Sequence, residues 1–494
     1  MSGRRLPTIT MEHLWPLVVM TGIVLFLETH PLRPQDFWWH LRMGEELLTL
    51  RHLPQTDWLT HTRAGAPYTF GIFWLPQIIY ALTYRLGGVV TILLLHTLTV
   101  GSAYALVLWS AWRLSGSWRA AALGVFFAAA LGFNDWNVRP QGLAFLAAGL
   151  ILVGSAGYRV TGQRRYLALW PAGMLLWVNG HGSFPIGLVL VGLGALEAWT
   201  RTPRAVWPMG LAVLASALAC LLNPQGLGAV RYALDMTGNP LIQALIPEWA
   251  PPAWGTLDGA LFLGGLLLTG ALLMLTPQRP RPVSVLTWVG LGALALRTSR
   301  GVVWFGMALA PILAEALAAW EAQLVFAPAP LTPLTRRVNQ ALACFLLGAT
   351  LLGLPFWKSH FPLSPAKRGL LSTETPVAAT EVLLRTAPPG PLFNAMAFGS
   401  YLEWAAPGYP VFVDTRIELF PLALWQDYLT ISQARPGWET RLAAYGVNTV
   451  LLDRQEQAAL EAALRAAPAW CLIHADETAA LFTRSPFPAC ASGD

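Results

Sequence analysis

Long apolar runs punctuate the first 356 residues, near positions 14–28, 88–111, 119–134, 140–157, 165–180, 183–199, 205–222, 257–275, 283–297, 301–319 and 339–356. Short polar connections separate most of them. A run of roughly 20 apolar residues spans a hydrocarbon layer about 30 Å thick when helical, and a helix is the open-ended structure that satisfies its own backbone there. The pattern predicts about eleven transmembrane helices. Composition agrees: 55% of residues are hydrophobic and 12% charged, about half the charged share of a soluble domain. The 23 tryptophans suit a protein with many headgroup-level positions. The fold class expected is a mainly α, polytopic membrane protein.

Loop charge alternates. Arg4 and Arg5, then Arg113 and Arg119, Arg159, Arg164 and Arg165, Arg201 and Arg204, Arg279 and Arg281, and Arg336 and Arg337 fall in every second connection. Short basic loops stay in the cytoplasm. The N-terminus is therefore expected inside, with segment 14–28 an uncleaved signal anchor of a bacterial cytoplasmic membrane, and the C-terminus outside. The net charge of +6 reports topology. No basic stripe interleaved with aromatics points to nucleic acid.

The opposite face collects the chemistry. It receives a long first loop, 29–87, then Asn134–Gln141, Asn179-Gly180-His181-Gly182, the loop from Asn223 to Trp254, Arg297–Arg300 and the tail from 357. Arginines there run against the charge bias, so Arg139, Arg297 and Arg300 are candidate anion ligands. The first loop holds two amphipathic stretches, 38–53 and 74–86. The second ends at Gly87-Gly88, a helix stop. The tail alternates expected helices (377–385, 398–405, 421–432, 437–445, 455–466) with expected strands (391–394, 410–414, 448–453, 470–476), a small α/β domain. Two domains follow: a membrane domain, 1–356, including the loop 29–87, and an extracytoplasmic α/β domain, 357–494. Cys471 and Cys490 lie in the tail and can pair if it is outside. Cys220 and Cys344 lie in apolar spans.

Certain motifs resemble a known superfamily. The run Asp36-Phe-Trp-Trp-His-Leu-Arg-Met-Gly-Glu45, followed by Leu53-Pro-Gln-Thr-Asp57 and Gly65-Ala-Pro-Tyr68, is similar to a poorly characterised group of bacterial membrane proteins of the GT-C type. So are Trp177-Val-Asn-Gly-His-Gly182, Leu222-Asn-Pro-Gln-Gly226, Pro247-Glu-Trp249, Gly399-Ser-Tyr-Leu-Glu-Trp404 and Val413-Asp-Thr-Arg416. The resemblance covers nearly the whole chain. It implies an integral-membrane glycosyltransferase with a polyprenyl-phosphate-linked sugar as donor, inverting chemistry, and the acid of the first loop as base or metal ligand. That role falls on Asp36. Many relatives carry two adjacent acids there. Gln35 stands in the first position here, so a divalent metal is possible but not favoured, and no cofactor is assigned.

The residues support such chemistry on their own terms. Asp36, beside Trp38 and Trp39 at the mouth of the first span, has the makings of a proton acceptor in a partly dry cavity. The competing role is a cap for the helix that follows. His40 shares its face four residues on and either binds phosphate, orients Asp36 or sits with its polar tip in water. Asp57 is a second acid for a metal pair or a turn residue. Arg139, Arg297 and Arg300 can fork phosphate oxygens or reach to lipid headgroups. His181 is a ligand contact or a cap. Glu248 and Trp249 offer a carboxylate and a ring on which a sugar stacks. Asp414 and Arg416 are expected to bond to each other and lock the tail. The rivals to an enzyme are a catalytically silent scaffold of a cell-surface assembly and a lipid or polymer transporter. A transporter carries ionisable residues near the bilayer midplane, and here the polar groups gather at span ends.

Overall fold

The computed structural model describes residues 9–201, 206–238, 247–324, 332–360, 364–488 and 490. Arg4, Arg5, Arg204 and most of the Pro-rich stretch before Pro333 lie outside them. Every apolar run of the sequence carries a helix. In chain order these are α1 (Met11–Thr29), α2 (Phe37–Leu50, in the first loop), α3 (Trp74–Ser115), α4 (Trp118–Gly132), α5 (Gln141–Thr161), α6 (Leu169–Val178), α7 (Phe184–Arg201), α8 (Val206–Ala219), α9 (Leu227–Gly238), α10 (Leu257–Leu275), α11 (Pro282–Arg297), α12 (Val302–Glu321) and α13 (Pro333–Leu352). Among the described residues, six helical stretches are long and apolar enough to cross a membrane. They contain α1, α3, α5, α7, α10 and α12. The chain is a multi-pass membrane protein. α4, α6, α8 and α11 are shorter, at 10–16 residues. At 1.5 Å per residue the 15 residues of α4 reach only about 22 Å.

Local chemistry sets several boundaries. Ser117, Thr256 and Thr332 cap α4, α10 and α13 by accepting the N–H three residues on. The expected stop falls at Gly87-Gly88: both residues leave helical geometry, and the stretch 74–86 meets the following span there at a kink within α3. Gly88 holds φ +61° and ψ −142°, a conformation that glycine alone adopts readily. Thr91 Oγ1 donates to the carbonyls of Thr83 and Gly88 at 2.7 and 2.9 Å, which satisfies groups the kink frees.

Two compact units emerge from the chain. The first comprises the chain through His30, Leu93–Gly238 and 247–360. Its tightest helix crossing is α4 on α12. A Cβ at Gly124 would meet Ala310 O at 2.4 Å, and one at Gly306 would meet Ala128 Cα at 3.2 Å. Small residues let the backbones touch, which is how helices associate without a hydrophobic drive between them.

The second unit comprises Pro31–Ile92 and the tail. The first loop thus clusters with the tail rather than with the spans. The tail contributes α14 (Val377–Thr386), α15 (Met396–Ala405), α16 (Leu422–Ser432), α17 (Trp438–Ala444) and α18 (Ala458–Ala466). Its sheet has strands β1 (Leu392–Asn394), β2 (Thr449–Asp453), β3 (Trp470–Ala475) and β4 (Ala479–Arg484) in the order β1-β2-β4-β3. β1 and β2 are parallel; β4 runs antiparallel to both its neighbours. The core joins α14, α15 and the sheet through Leu383, Phe398, Leu402, Leu451 and Leu481. The expected strand at 410–414 makes a single bridge, Val411 with Thr60 of the first loop. Cys471 on β3 is disulfide-bonded to Cys490. Gly44 of α2 lies so close to α3 that a Cβ there would sit 1.9 Å from Gln77 O.

Candidate functional site

Polar residues converge in two places, one in each unit. In the first unit, three connections meet. Arg139 stands before Pro140 at the head of α5. Glu248 lies in the 3-10 turn Pro247–Trp249, and Arg300 in the 3-10 turn Ser299–Gly301 that opens α12. The two turns are stitched together. Ser299 N donates to Ala250 O at 2.9 Å and Thr298 Oγ1 to Glu248 O at 3.1 Å. Gly301 is required where α11 gives way to α12, because a Cβ would come within 2.7 Å of Ala295 Cα.

Glu248 receives both arginines. Arg139 Nη1 lies 2.9 Å from Oε1 and 3.2 Å from Oε2. Arg300 donates to Oε2 from Nη2 at 2.9 Å and from Nε at 3.2 Å. Burial pushes the Glu248 carboxyl up, yet the two guanidinium charges outweigh it and hold it down at about 2. Arg300 also covers the Trp249 ring at 5.2 Å, so one face of the ring expected to stack on a sugar meets a cation. Arg297, exposed at the end of α11, is not among the partners of Glu248.

Two more groups face this cluster. Burial, reinforced by the charge of Glu248, pushes the Asp135 carboxyl up to about 7 against the opposing pull of Arg300 and Arg139. His181 is held down to about 3, first by burial and then by the same two arginines, so its ring is neutral. Its Nδ1 accepts from Ser183 N at 3.1 Å and lies 2.8 Å from Ser183 Oγ. That leaves the proton on Nε2. Two arginines against one ionised glutamate leave one net positive charge while Asp135 keeps its proton, with a neutral imidazole N–H beside it. Such a set recognises an anion with several oxygens.

The second unit holds the other candidates. Asp36 stands at the N-cap position of α2 but with helical φ −48° and ψ −31° and no side-chain cap bond, so the capping role is not used. It is half-buried and faces Tyr80. His40 is buried, its ring 3.5 Å from that of Trp39, and Nδ1 accepts from Gln77 Nε2 at 3.2 Å. Its tip is in protein, not in water. Asp57 is buried too. Its Oδ1 takes Arg416 Nη1 at 2.6 Å, and its Oδ2 takes Thr60 N and Oγ1 at 3.2 and 2.8 Å. Both oxygens are therefore occupied by protein donors. Among the described residues no group of three His, Cys, Asp or Glu is placed to hold a metal.

Arg416 is the hub of that network. It forks onto Asp414 at 2.6–3.1 Å, reaches Glu403 at 3.1 Å and Asp57 at 2.6 Å, and lies 5.5 Å from the rings of both Trp39 and Phe70. All four charged side chains are at most 1% exposed. Burial, then the charge of Asp414, raises the Glu403 carboxyl well above its ordinary range, so it keeps its proton. The expected Asp414–Arg416 bond is present, within a larger cluster. Asp135 and Glu403 were not singled out in the sequence. Asp135 is flanked by Asn134 and Trp136, and Glu403 sits within Tyr401-Leu-Glu-Trp404, a motif that carries the resemblance.

Comparison with solved structures gives the class of fold. The chain is similar to ArnT from Cupriavidus metallidurans in the apo state, with a TM-score of 0.53 at 15% identity over 94% of this chain and 96% of that one. Against ArnT bound to undecaprenyl phosphate the TM-score is 0.50, again at 15% identity, over 94% and 97% of the two chains. The chain thus shares the fold of ArnT. No family model and no curated protein matches it.

Proposed function

We propose that this protein is a glycosyltransferase that moves a sugar from a polyprenyl-phosphate-linked donor to an acceptor outside the cytoplasm. The observation that carries the reading is the Arg139–Glu248–Arg300 cluster in a fold whose solved neighbour binds undecaprenyl phosphate. Asp36 is the base. It takes the proton of an acceptor hydroxyl as that oxygen attacks the anomeric carbon from the side opposite the phosphate. The carbon–oxygen bond to phosphate breaks, its electron pair leaves on the phosphate, and the configuration inverts. Arg139 and Arg300 are the assigned phosphate ligands of the first unit, and the His181 Nε2–H is a neutral donor beside them. The lipid tail lies in the membrane.

Sidedness has two supports. The arginine-rich connections mark one side as cytoplasmic. The Cys471–Cys490 bond forms and persists in oxidising compartments, which suits a tail on the other side.

The test is mass spectrometry of lipid co-purified with the full chain, followed by turnover of that donor in nanodiscs. Asp36→Asn at normal abundance is expected to abolish turnover and retain undecaprenyl phosphate binding. The double substitution Arg139→Gln with Arg300→Gln is expected to lose that binding. Full turnover by Asp36→Asn removes the base assignment.

A further inference from the structure

At the end of α3, on the side that the basic connections mark as cytoplasmic, lies a cluster the proposed reaction does not use. α3 gives way to Gly116, whose φ of +72° suits glycine and whose N–H donates to Trp112 O at 2.8 Å. The reversal lays the Trp112 ring on that of Trp118 at the head of α4, with centroids 4.4 Å apart and planes 10° from parallel. Arg113 lies beside these rings. Its Cζ is 5.7 Å from the Trp112 centroid and 5.6 Å from that of Trp109, one turn back. Trp109 lies 6.1 Å from the ring of Tyr166, and the Arg165 Cζ stands 5.4 Å from that ring. Gly157 of α5 makes room for Tyr166, because a Cβ there would come 2.2 Å from its Cδ1. Two guanidinium groups therefore flank a continuous aromatic floor. No acid joins them: among the described residues no carboxylate pairs with Arg113 or Arg165, and the Arg113 Nε is buried without a hydrogen-bond partner. Three acids of that side are engaged elsewhere. Glu321 accepts from Arg119 Nε and Ser117 Oγ at 2.7 Å each, and Glu197 and Glu315 face Arg159 and Arg281.

We propose that Arg113 and Arg165 bind the phosphodiester headgroup of an anionic phospholipid in the leaflet on that side. A guanidinium is planar, so one that rests its face on an aromatic ring keeps its edge for phosphate oxygens. Indole and phenol rings settle at headgroup level, where their apolar bodies meet the glycerol and upper chains of a lipid. Two cations without an acid repel the ammonium of a zwitterionic headgroup, so the cluster selects a lipid with net negative charge. A free phosphate satisfies the arginines but leaves the aromatic floor uncovered, and the lipid satisfies both. This site is independent of the glycosyltransferase reading, because it uses none of the residues assigned to that reaction.

The experiment is native mass spectrometry of the full chain released from nanodiscs of phosphatidylcholine with increasing phosphatidylglycerol. The expected result is retention of phosphatidylglycerol in preference to phosphatidylcholine. Arg113→Gln or Arg165→Gln should weaken that binding roughly fivefold, and the two together on the order of 20-fold. Arg165 is exposed, so Arg165→Gln carries the test where Arg113→Gln fails to fold. Arg336→Gln with Arg337→Gln removes the same charge from two exposed arginines near the start of α13, which have no ring against them among the described residues. That pair should leave retention unchanged; an equal loss there makes the attraction a matter of total charge and overturns the site. Equal retention of the two lipids, or wild-type retention by the Arg113→Gln, Arg165→Gln double variant, overturns it too. Displacement of phosphatidylglycerol by millimolar inorganic phosphate identifies a free anion as the occupant and removes the lipid assignment.

Discussion

Replacing Asp57 with asparagine should loosen the union of first loop and tail far more than replacing Glu403 with glutamine, although both acids meet the same arginine. The geometry gives the magnitude. Both Asp57 oxygens face donors, Arg416 Nη1 on one side and Thr60 N and Oγ1 on the other. An asparagine has one accepting end, so its NH2 must confront a donor whichever way it turns. One charge-assisted bond is lost, at about 1.5–3 kcal/mol, and a buried donor is left unmatched, at about 1–3 kcal/mol. The total of about 3–5 kcal/mol is that of a broken buried ion pair. Glu403 differs because burial and Asp414 keep it protonated. A glutamine offers the same carbonyl to Arg416 and an N–H toward Asp414, so the change stays within about 1 kcal/mol. Hydrogen exchange at the Thr60–Val411 bridge and at Leu32 N, which donates to Leu370 O at 2.8 Å, reads the opening directly. Asp57→Asn should raise it roughly 10²- to 10⁴-fold, and Glu403→Gln by less than tenfold. The pH dependence has a defined sign. The folded Glu403 carboxyl titrates above its ordinary 4.5, so the native state binds the proton more tightly than the unfolded chain does. Wild-type protection should fall as pH rises from 4.5 through that higher value, and Glu403→Gln should escape this loss. If Glu403→Gln costs as much as Asp57→Asn at every pH, Glu403 is an ionised arm of the cluster and the reasoning fails.

The anion cluster should also respond to pH and charge. Asp135 titrates near 7 beside Arg139 and Arg300, so undecaprenyl phosphate affinity should fall as pH rises through 7, and Asp135→Asn should remove that step. Glu248→Gln takes away the anion that now engages both arginines; after screening, the gain for a bound phosphate is about 1–2 kcal/mol, or roughly tenfold tighter binding by titration in nanodiscs. At the other ends of the spans, Arg159 and Arg281 alternate with Glu197 and Glu315 in a closed ring beneath a cavity of about 70 Å³ lined by Ser155, Ser284 and Thr287. Glu315→Gln should cost about 1–3 kcal/mol, because the ring is partly exposed, and should speed maleimide labelling of a Ser284→Cys probe. The Cys471–Cys490 bond spans 19 residues. Its reduction should destabilise the tail by about 3 kcal/mol, seen as faster exchange in β3 and β4.

Hydropathy marked all six of the described helical stretches that are long and apolar enough to cross a membrane, because a span has to be apolar over its whole length whatever it packs against. The tail was nearly as legible: the expected helices fall on α14–α18, and three of the four strands on β1–β3. β4 escaped because Ala479–Phe482 is buried on both faces and so shows no alternation. Segment 410–414 has the composition of a strand, but its partner is Thr60 in a distant loop, and one bridge is all it makes. Gly87-Gly88 has the composition of a stop and does leave helical geometry, while Thr91 takes up the carbonyls freed there.

The candidate site divides along the same line. Single residues could be chosen by type and place: Arg139, Arg300, Glu248 and His181 do converge, and Asp36 does precede a helix. What each side chain meets was hidden, because the partners lie far off along the chain. Glu248 is 109 residues from Arg139 and 52 from Arg300. Three arginines on one face read as three free cations. In the fold, two are bound by one carboxylate, and Arg297 stays out because the turn Ser299–Gly301 swings Arg300 alone toward Glu248. The charge open to a ligand is thus one rather than three. Asp57 shows the same effect in reverse. Beside Pro54 it looks like a turn residue or one member of a metal pair, and its chemistry is set instead by Arg416 at the far end of the chain. Patterns repeated every few residues can be read locally, whereas charge compensation is decided by whichever residues the topology brings together.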